Sequence, residues 1–426
     1  MAPDSGGELV GSGSFRVDRA KALEKLQRYR FADPSQFVLS LVRCAVLGGA
    51  SRVLVRGLAP KAGWLRRHDG IEVLFDGRPF SPAELADPYA PYFDEDAARD
   101  RRRVELGRAV LTLEGTRPRE LTLAPGLVRA VWDGPSRATG TVAEWLLSRC
   151  GCCPIPVEFQ DLWQYTGDSR RREGGRMVLS AAGSRLGSLD FSSGGFRGRL
   201  EVPDHPAISA CRLELAQAGV LAETLREAWP GVIPVDGFID GADFSLSLSL
   251  SQAAVVRDES FARALERLAL ESGRLVQRAA AVQRGRLRET AGLLAGARHR
   301  AFWRGVLEGD VFDPGARSPE QRRRLYEDAA RTRWLRSAVV ACSEAPGRLP
   351  PEVKAALWEA PLLFSGKLEP LSLKDVERLA QAKGVVECGR GGPPQEPSGA
   401  LWLSSSRDTA FLPAALKAKL SGWAGA

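Results

Sequence analysis

Apolar residues wrap almost all the way round the stretch 37–46, FVLSLVRCAV, a pattern that predicts a buried helix rather than a surface one. Gly48-Gly49 closes it, because glycine accepts the left-handed conformation of a helix C-cap. Asp33-Pro34-Ser35 opens it, with Asp33 placed to cap and Pro34 suited to the first turn. Residues 51–55 read as a strand, 57–70 as a loop carrying Trp64, and 71–75 as a second strand. A tight turn then leads into a new helix at SPAEL. Upstream, SFRVDRAKALEKLQRYRF predicts a strand and an amphipathic helix with Ala22, Leu26 and Tyr29 near one face.

Further along, LGRAVLTLEG predicts a helix, RELTLAPG and LVRAVWDG two strands, and Gly140-Thr141 a strand start. Residues 158–250 alternate in the two-residue rhythm of strands, most clearly in DFSLSLSLS. Residues 258–299 switch to a helical rhythm carried by Leu265, Leu268, Leu275, Val276 and Val282. Residues 300–360 read as short helices anchored by Trp303, Trp334 and Trp358, and 364–416 as a small α/β unit. The fold class is therefore α+β.

At 426 residues the chain is long enough for two to three domains. The net charge of +8 comes mostly from arginine. The basic residues are interleaved with acids, as in RDRRRVE and EQRRRLYED, and no aromatic residues alternate with them to stack bases. Nucleic acid is accordingly not an expected partner. No apolar run is long enough to span a membrane. The opening MAPDSGGELVGSGSF has no basic stretch followed by an apolar one, so it reads as a short disordered leader, and a cytoplasmic location follows by default. Seven cysteines, an odd number, argue against a disulfide framework. Cys150, Cys152 and Cys153 cluster, and His68, His205 and His299 lie far apart. Packing near a domain junction suits the three cysteines better than a metal site.

The order helix, Gly-Gly stop, strand, strand, turn and helix over 37–85 resembles the ATP-binding fold shared by gyrase, HtpG-type heat-shock chaperones, histidine kinases and MutL, the GHKL superfamily. In that family the helix carries a Glu that positions the attacking water and an Asn that binds Mg²⁺. Aligned on the Gly-Ala ending, this chain has Ser40 and Cys44 there. The family's later turn carries an Asp for the adenine amino group. Aligned on SPAEL, Phe75 takes that place, with Asp76 one residue on, Gly77 at the first glycine and Pro79 at the second. Residues 86–105 occupy the place of the mobile ATP lid, and Gly107 is the one glycine left where a phosphate cradle belongs. Gly140-Thr141 matches the step whose Thr contacts the adenine side.

WLLSRCGCCPIPVEFQ resembles the HtpG-type connector, and IPVDGFIDGADFSLSLSLSQ resembles the middle domain, with Asp240, Asp243, Phe244, Leu246 and Ser249 in matching places. Leu250, or Gln252, stands where the family's γ-phosphate-binding Arg belongs. The resemblance implies a GHKL-type α/β sandwich with helices on one face over 1–157, a β-rich middle domain over 158–290, and a helical plus small α/β module over 291–426. It implies a site that has lost its chemistry: Ser40 is no base near neutral pH, Cys44 suits hard Mg²⁺ poorly, and Leu250 supplies no cation. The expected function is a non-hydrolysing scaffold, a pseudo-ATPase that binds other proteins or unfolded clients without cofactor. The alternative is a chaperone-like protein that holds ATP and Mg²⁺ weakly through Asp76 and Thr141.

Overall fold

The computed structural model describes residues 18–28, 33–58, 69–134, 136–161, 176–179, 186–203, 211–229, 232–241, 248, 254–294, 319–344, 349–365, 370–383, 386–389, 401–402 and 411–421. They fall into two units, Met1–Leu147 with Ile155–Val178, and Ser148–Pro154 with Leu179–Ala426. Both are mixed α+β.

The sheet of the first unit contains β1 (Val53–Leu58), β2 (Gly70–Phe75), β3 (Glu120–Ala124), β4 (Leu127–Val131), β5 (Val157–Asp161) and β6 (Arg176–Leu179), in the order β3-β4-β2-β1-β5-β6. It is mixed: β1 runs antiparallel to β2 and parallel to β5. Register decides which face is apolar, because successive side chains point to opposite sides. Val55 lies opposite Val73 and Phe159, Val73 opposite Val128, and Ile71 opposite Ala130. All of these are buried. The other face carries the row Arg129, Glu72, Arg56 and Gln160. There Arg56 donates to Glu72 at 3.3 Å and to Gln160 at 3.2 Å.

The helices of this unit are α1 (Arg19–Arg28), α2 (Phe37–Leu47), α3 (Pro82–Ala86), α4 (Glu95–Arg99), α5 (Arg101–Glu114), α6 (Arg137–Gly140) and α7 (Val142–Arg149). Asp33 begins a single 3₁₀ turn, Pro34–Gln36, that runs directly into α2. Every residue from Phe37 to Ala45 is buried, as the all-round apolar pattern predicts, and α2 packs along α5. Residues 86–105 form a 3₁₀ turn, α4 and the start of α5, with Asp94 and Asp100 capping the two helices through their side chains. Gly140-Thr141 is a helix junction rather than a strand start, because Ser136 caps α6 and α7 begins at the next residue.

The second unit has the sheet β10-β9-β11-β8-β7, built from β7 (Ser188–Ser193), β8 (Phe196–Glu201), β9 (Cys211–Gln217), β10 (Val220–Glu227) and β11 (Asp236–Gly241). After it come α8 (Glu259–Leu294), α9 (Pro319–Glu344) and α10 (Pro351–Glu359). A small sheet, β13-β12-β15-β14-β16, completes the unit, with β12 (Pro361–Ser365), β13 (Pro370–Ser372), β14 (Val386–Gly389), β15 (Leu401–Trp402) and β16 (Leu420–Ser421). One apolar core runs from Leu186 to Leu416, so residues 179–290 and the described part of 291–426 share it. Among the described residues of 300–360 the expected short helices are one long helix, α9, and one short one, α10. The inward positions of α9 are partly polar, which breaks the apolar rhythm. Gln283 of α8 donates to Thr332 at 2.6 Å and to the Asp328 carbonyl at 3.1 Å, and Arg331 donates to Gln283 at 3.2 Å. Trp334 is fully buried, Trp358 lies at the core margin, and Trp303 is outside the described residues.

Past the end of α5, Arg117 is exposed and takes the left-handed conformation at φ 54°. A side chain there strains the backbone, and glycine relieves it. Arg117→Gly is expected to raise stability by about 0.5–1 kcal/mol, read as a higher urea midpoint at unchanged slope. An unchanged or lower midpoint would show that the turn is not strained.

Candidate functional site

The site proposed from sequence lies where the ends of α2 and β2 meet α5. Its geometry starts with a turn. Asp76 follows β2 and accepts from the Ser51 backbone N–H at 2.7 Å, the Arg52 N–H at 3.2 Å and the Ser51 hydroxyl. The Ser51 hydroxyl and N–H hold its exposed carboxyl below the usual carboxylate range. Gly77 follows at φ 101°, and a Cβ there would sit 2.7 Å from the Ala50 nitrogen and 2.8 Å from the Gly48 carbonyl oxygen. Only glycine fits so close to a neighbouring backbone. Arg78 N–H then donates to the Gly48 carbonyl at 2.8 Å. The Asp76-Gly77-Arg78 turn is thus bound to the loop that ends α2. Phe75 faces the apolar side of the sheet opposite Val53, half-buried, with its N–H on the Gly126 carbonyl at 2.9 Å.

Arg102 of α5 fixes the other side of this turn. Only 3% exposed, it donates from one guanidinium nitrogen to the Arg78 carbonyl at 2.7 Å and the Pro79 carbonyl at 3.0 Å. The other terminal nitrogen reaches Glu84 and Asp100, both at 3.3 Å, and the guanidinium lies 4.1 Å from the centre of the Phe80 ring. Glu84 also completes a capping box with Ser81, so the SPAEL helix begins where its sequence signature places it.

Between α2 and α5 lies a buried charge cluster. Glu105 is fully buried, 2.7 Å from Arg108 and 3.8 Å from Arg43, which is itself 2% exposed. Burial alone would raise the Glu105 carboxyl. Arg108 and Arg43, with help from the Ser40 hydroxyl, outweigh it and hold the group ionised below its usual range. Ser40 and Cys44 are both fully buried on α2. Burial pushes the Cys44 thiol well above its usual range, so it is a packed thiol and not a thiolate.

Gly107 sits inside α5, where its N–H belongs to the helix ladder. A Cβ at that position would lie 2.5 Å from the Pro88 carbonyl oxygen, so the glycine allows the segment 86–93 to pack onto the helix. Thr141 donates its hydroxyl to Asp33 at 2.7 Å, and Trp145 donates to the same oxygen at 2.8 Å. Asp33 also accepts from Ser35 N–H at 2.9 Å. Leu250, Gln252, Asp243, Phe244, Leu246 and Ser249 lie outside the described residues. Asp240 is fully buried, paired with Arg197 and accepting from Gly219 N–H at 2.9 Å.

The structure therefore sets Asp76 and Gly77 against the loop that ends α2, while Ser40 and Cys44 are buried along α2 itself. Gly107 lies on the helix beside them, and Thr141 at the opposite, N-terminal end of α2. Sequence reasoning missed Arg43, Arg102, Glu105 and Asp33 as site-forming groups. One signal was available: an arginine within an otherwise apolar helix requires a buried counter-charge, which Glu105 of RDRRRVE supplies. Among the described residues no group of three or more His, Cys, Asp or Glu is placed to hold a metal ion. No helix among them is long and apolar enough to cross a membrane. No protein-family model matches the chain, and no curated protein matches it significantly.

Two outcomes follow from this geometry. Glu105→Ala leaves Arg43 buried without its counter-charge, and the expected loss is roughly 3–5 kcal/mol by urea unfolding. The double variant Arg43→Met, Glu105→Leu is expected to recover most of that loss. The second concerns acid. Burial raises the Asp33 carboxyl, but hydrogen bonds from Trp145, Thr141 and Ser35 outweigh it, so the folded-state pKa lies below the usual 3.8. Its contribution is therefore complete above the unfolded value and disappears as pH falls through the lower folded value. Stability measured from pH 7 down to pH about 2 should fall less steeply below pH about 4 in Asp33→Asn than in the parent chain. Equal slopes would mean that the Asp33 hydrogen bonds do not favour the ionised form.

Proposed function

We propose that this chain is a non-hydrolysing, protein-binding scaffold built on a GHKL-like frame, related in plan to HtpG-type chaperones and independent of bound nucleotide. One observation carries the reading: the positions that would face a nucleotide are engaged with the chain itself. Asp76 holds the loop after α2, Thr141 holds Asp33, and Gly107 seats α5 against Pro88. Ser40 and Cys44 face the packed interior. Hydrolysis needs a positioned water, a hard-cation ligand and a cation on the γ-phosphate. A buried hydroxyl and a protonated thiol supply none of these. The helix–strand–strand–turn–helix order over 37–86, with Phe75 on the apolar face, supports the frame.

The cytoplasm is the proposed setting, and other proteins or unfolded clients are the proposed partners. Calorimetric titration of the full chain with ATP and ADP, with and without Mg²⁺, tests the nucleotide half of the reading. No saturable heat and no thermal shift are expected at millimolar nucleotide. Saturable binding that Asp76→Asn abolishes would instead establish a working adenine site.

A further inference from the structure

Three cysteines sit in one turn of the second unit, and their surroundings sort them into two kinds. The segment Cys150-Gly151-Cys152-Cys153 closes through a hydrogen bond from Cys153 N–H to the Cys150 carbonyl at 3.1 Å. Such a turn brings its first and fourth Cα atoms within about 7 Å. A disulfide spans Cα separations of roughly 4.4–6.8 Å, so the first and fourth residues of such a turn lie in the range a bridge needs. Cys152 stands between them in the turn. It points its thiol at Glu214, 3.2 Å away, and that contact holds it as a protonated donor. Burial and then the charge of Glu214 push its pKa far up.

Access falls at the right place. Cys153 is half-buried between exposed Gly151 and exposed Pro154, while Cys150 is fully buried. An entering reagent therefore meets Cys153 first. Among the described residues, nothing lies within 4 Å of where a Cβ on Gly151 would stand.

We infer that Cys150 and Cys153 are a reversible thiol-oxidation site, with Cys153 the reacting thiol, Cys150 the resolving one and a peroxide the oxidant. Cys153 sulfur, as thiolate, attacks the terminal oxygen of a hydroperoxide. An S–O bond forms, the O–O bond breaks, and the alkoxide or hydroxide leaves with a proton. Cys150 sulfur then attacks Cys153 sulfur, the S–S bond forms, the S–O bond breaks, and water departs. The two thiols lose two electrons and two protons, and the peroxide is reduced to water and an alcohol or a second water.

The bridge would stiffen a segment that seats on the β9–β10 hairpin. Arg149 donates to the Ala222 carbonyl at 2.9 Å, and a Cβ on Gly219 would lie 3.0 Å from Cys153 Sγ. The hairpin turn is already under constraint, with buried Ala218 at φ 48°. Oxidation thus acts beside a tight hairpin turn.

The test is peptide mapping of the reduced full chain after treatment with a slight excess of hydrogen peroxide, without reductant. The peptide spanning 150–153 is expected to lose two hydrogens in most molecules and to regain them with dithiothreitol. Cys150→Ser and Cys153→Ser should abolish that loss, and Cys152→Ser should keep it. A two-hydrogen loss that persists in Cys150→Ser places the bridge at Cys152–Cys153 and overturns the assignment. An unmodified peptide, or one that stops at a sulfinic acid, overturns it as well. The parent chain's own fragment spectra locate the bridge even if a serine variant fails to fold.

Discussion

Helix α2 has no face fit for water, and the first unit is arranged around that constraint. From Phe37 to Ala45 every residue is buried, including Ser40, Arg43 and Cys44. A helix apolar all round has to be covered on every side. The sheet supplies one cover, through the row of Val53, Val55, Ile71 and Val73. Helix α5 supplies the next. Because Arg43 is enclosed with the rest, α5 must also bring a carboxylate, and Glu105 is that group. The 76–80 turn cannot be free either, since it seals the end of α2 and needs Arg102 and Gly77 to do so. One hydrophobic pattern thus dictates a buried ion cluster, a glycine and a clamped turn.

Much of this was legible in the sequence, for reasons that differ from residue to residue. The buried helix, its Gly-Gly end, the two strands after it and the helix at SPAEL follow from periodicity and cap chemistry, which are local. Residues 86–105 were harder. Their composition is polar and their helices are short, so nothing in the apolar rhythm marks them. They are ordered by caps at Asp94 and Asp100 and by contacts distant in sequence, such as Tyr89 with Glu114 and Pro88 with Gly107. Helix α9 failed to declare itself for a related reason. Asp328, Arg331 and Thr332 point inward, and a helix with polar groups in its core looks irregular to any pattern that equates inside with apolar.

The candidate site was only half visible. Strand periodicity and the SPAEL cap place Phe75, Asp76 and Gly77 at the end of β2 and in the turn after it. What each one does is set by partners that sequence spacing does not reveal. Asp76 is a carboxylate near the expected place, yet Ser51 and Arg52 take its lone pairs. Thr141 has its hydroxyl on Asp33, more than a hundred residues away in the chain. A polar residue in a matching position is informative about frame, and its hydrogen-bond partner is informative about role.

The net charge of +8 is carried mostly by arginine. The structure uses part of that charge internally. Arg43, Arg102, Arg331 and Arg336 are each at most 9% exposed. Three of them bind carbonyls that lie outside regular pairing: Arg102 takes Arg78 and Pro79, Arg331 takes Leu186, and Arg336 takes Leu362 beside a register shift in β12. Arg149 does the same for Leu221 and Ala222 near the bulge of β10. Irregular backbone carries polar groups that must be satisfied when buried. A planar fork with several fixed donors can reach two carbonyls and a carboxylate at once, which a lysine ammonium cannot do with the same geometry. Arginine therefore lets this chain bury turns and bulges that would otherwise have to face water. Its net positive charge is, to that extent, a property of how the fold is joined and not of what the surface attracts.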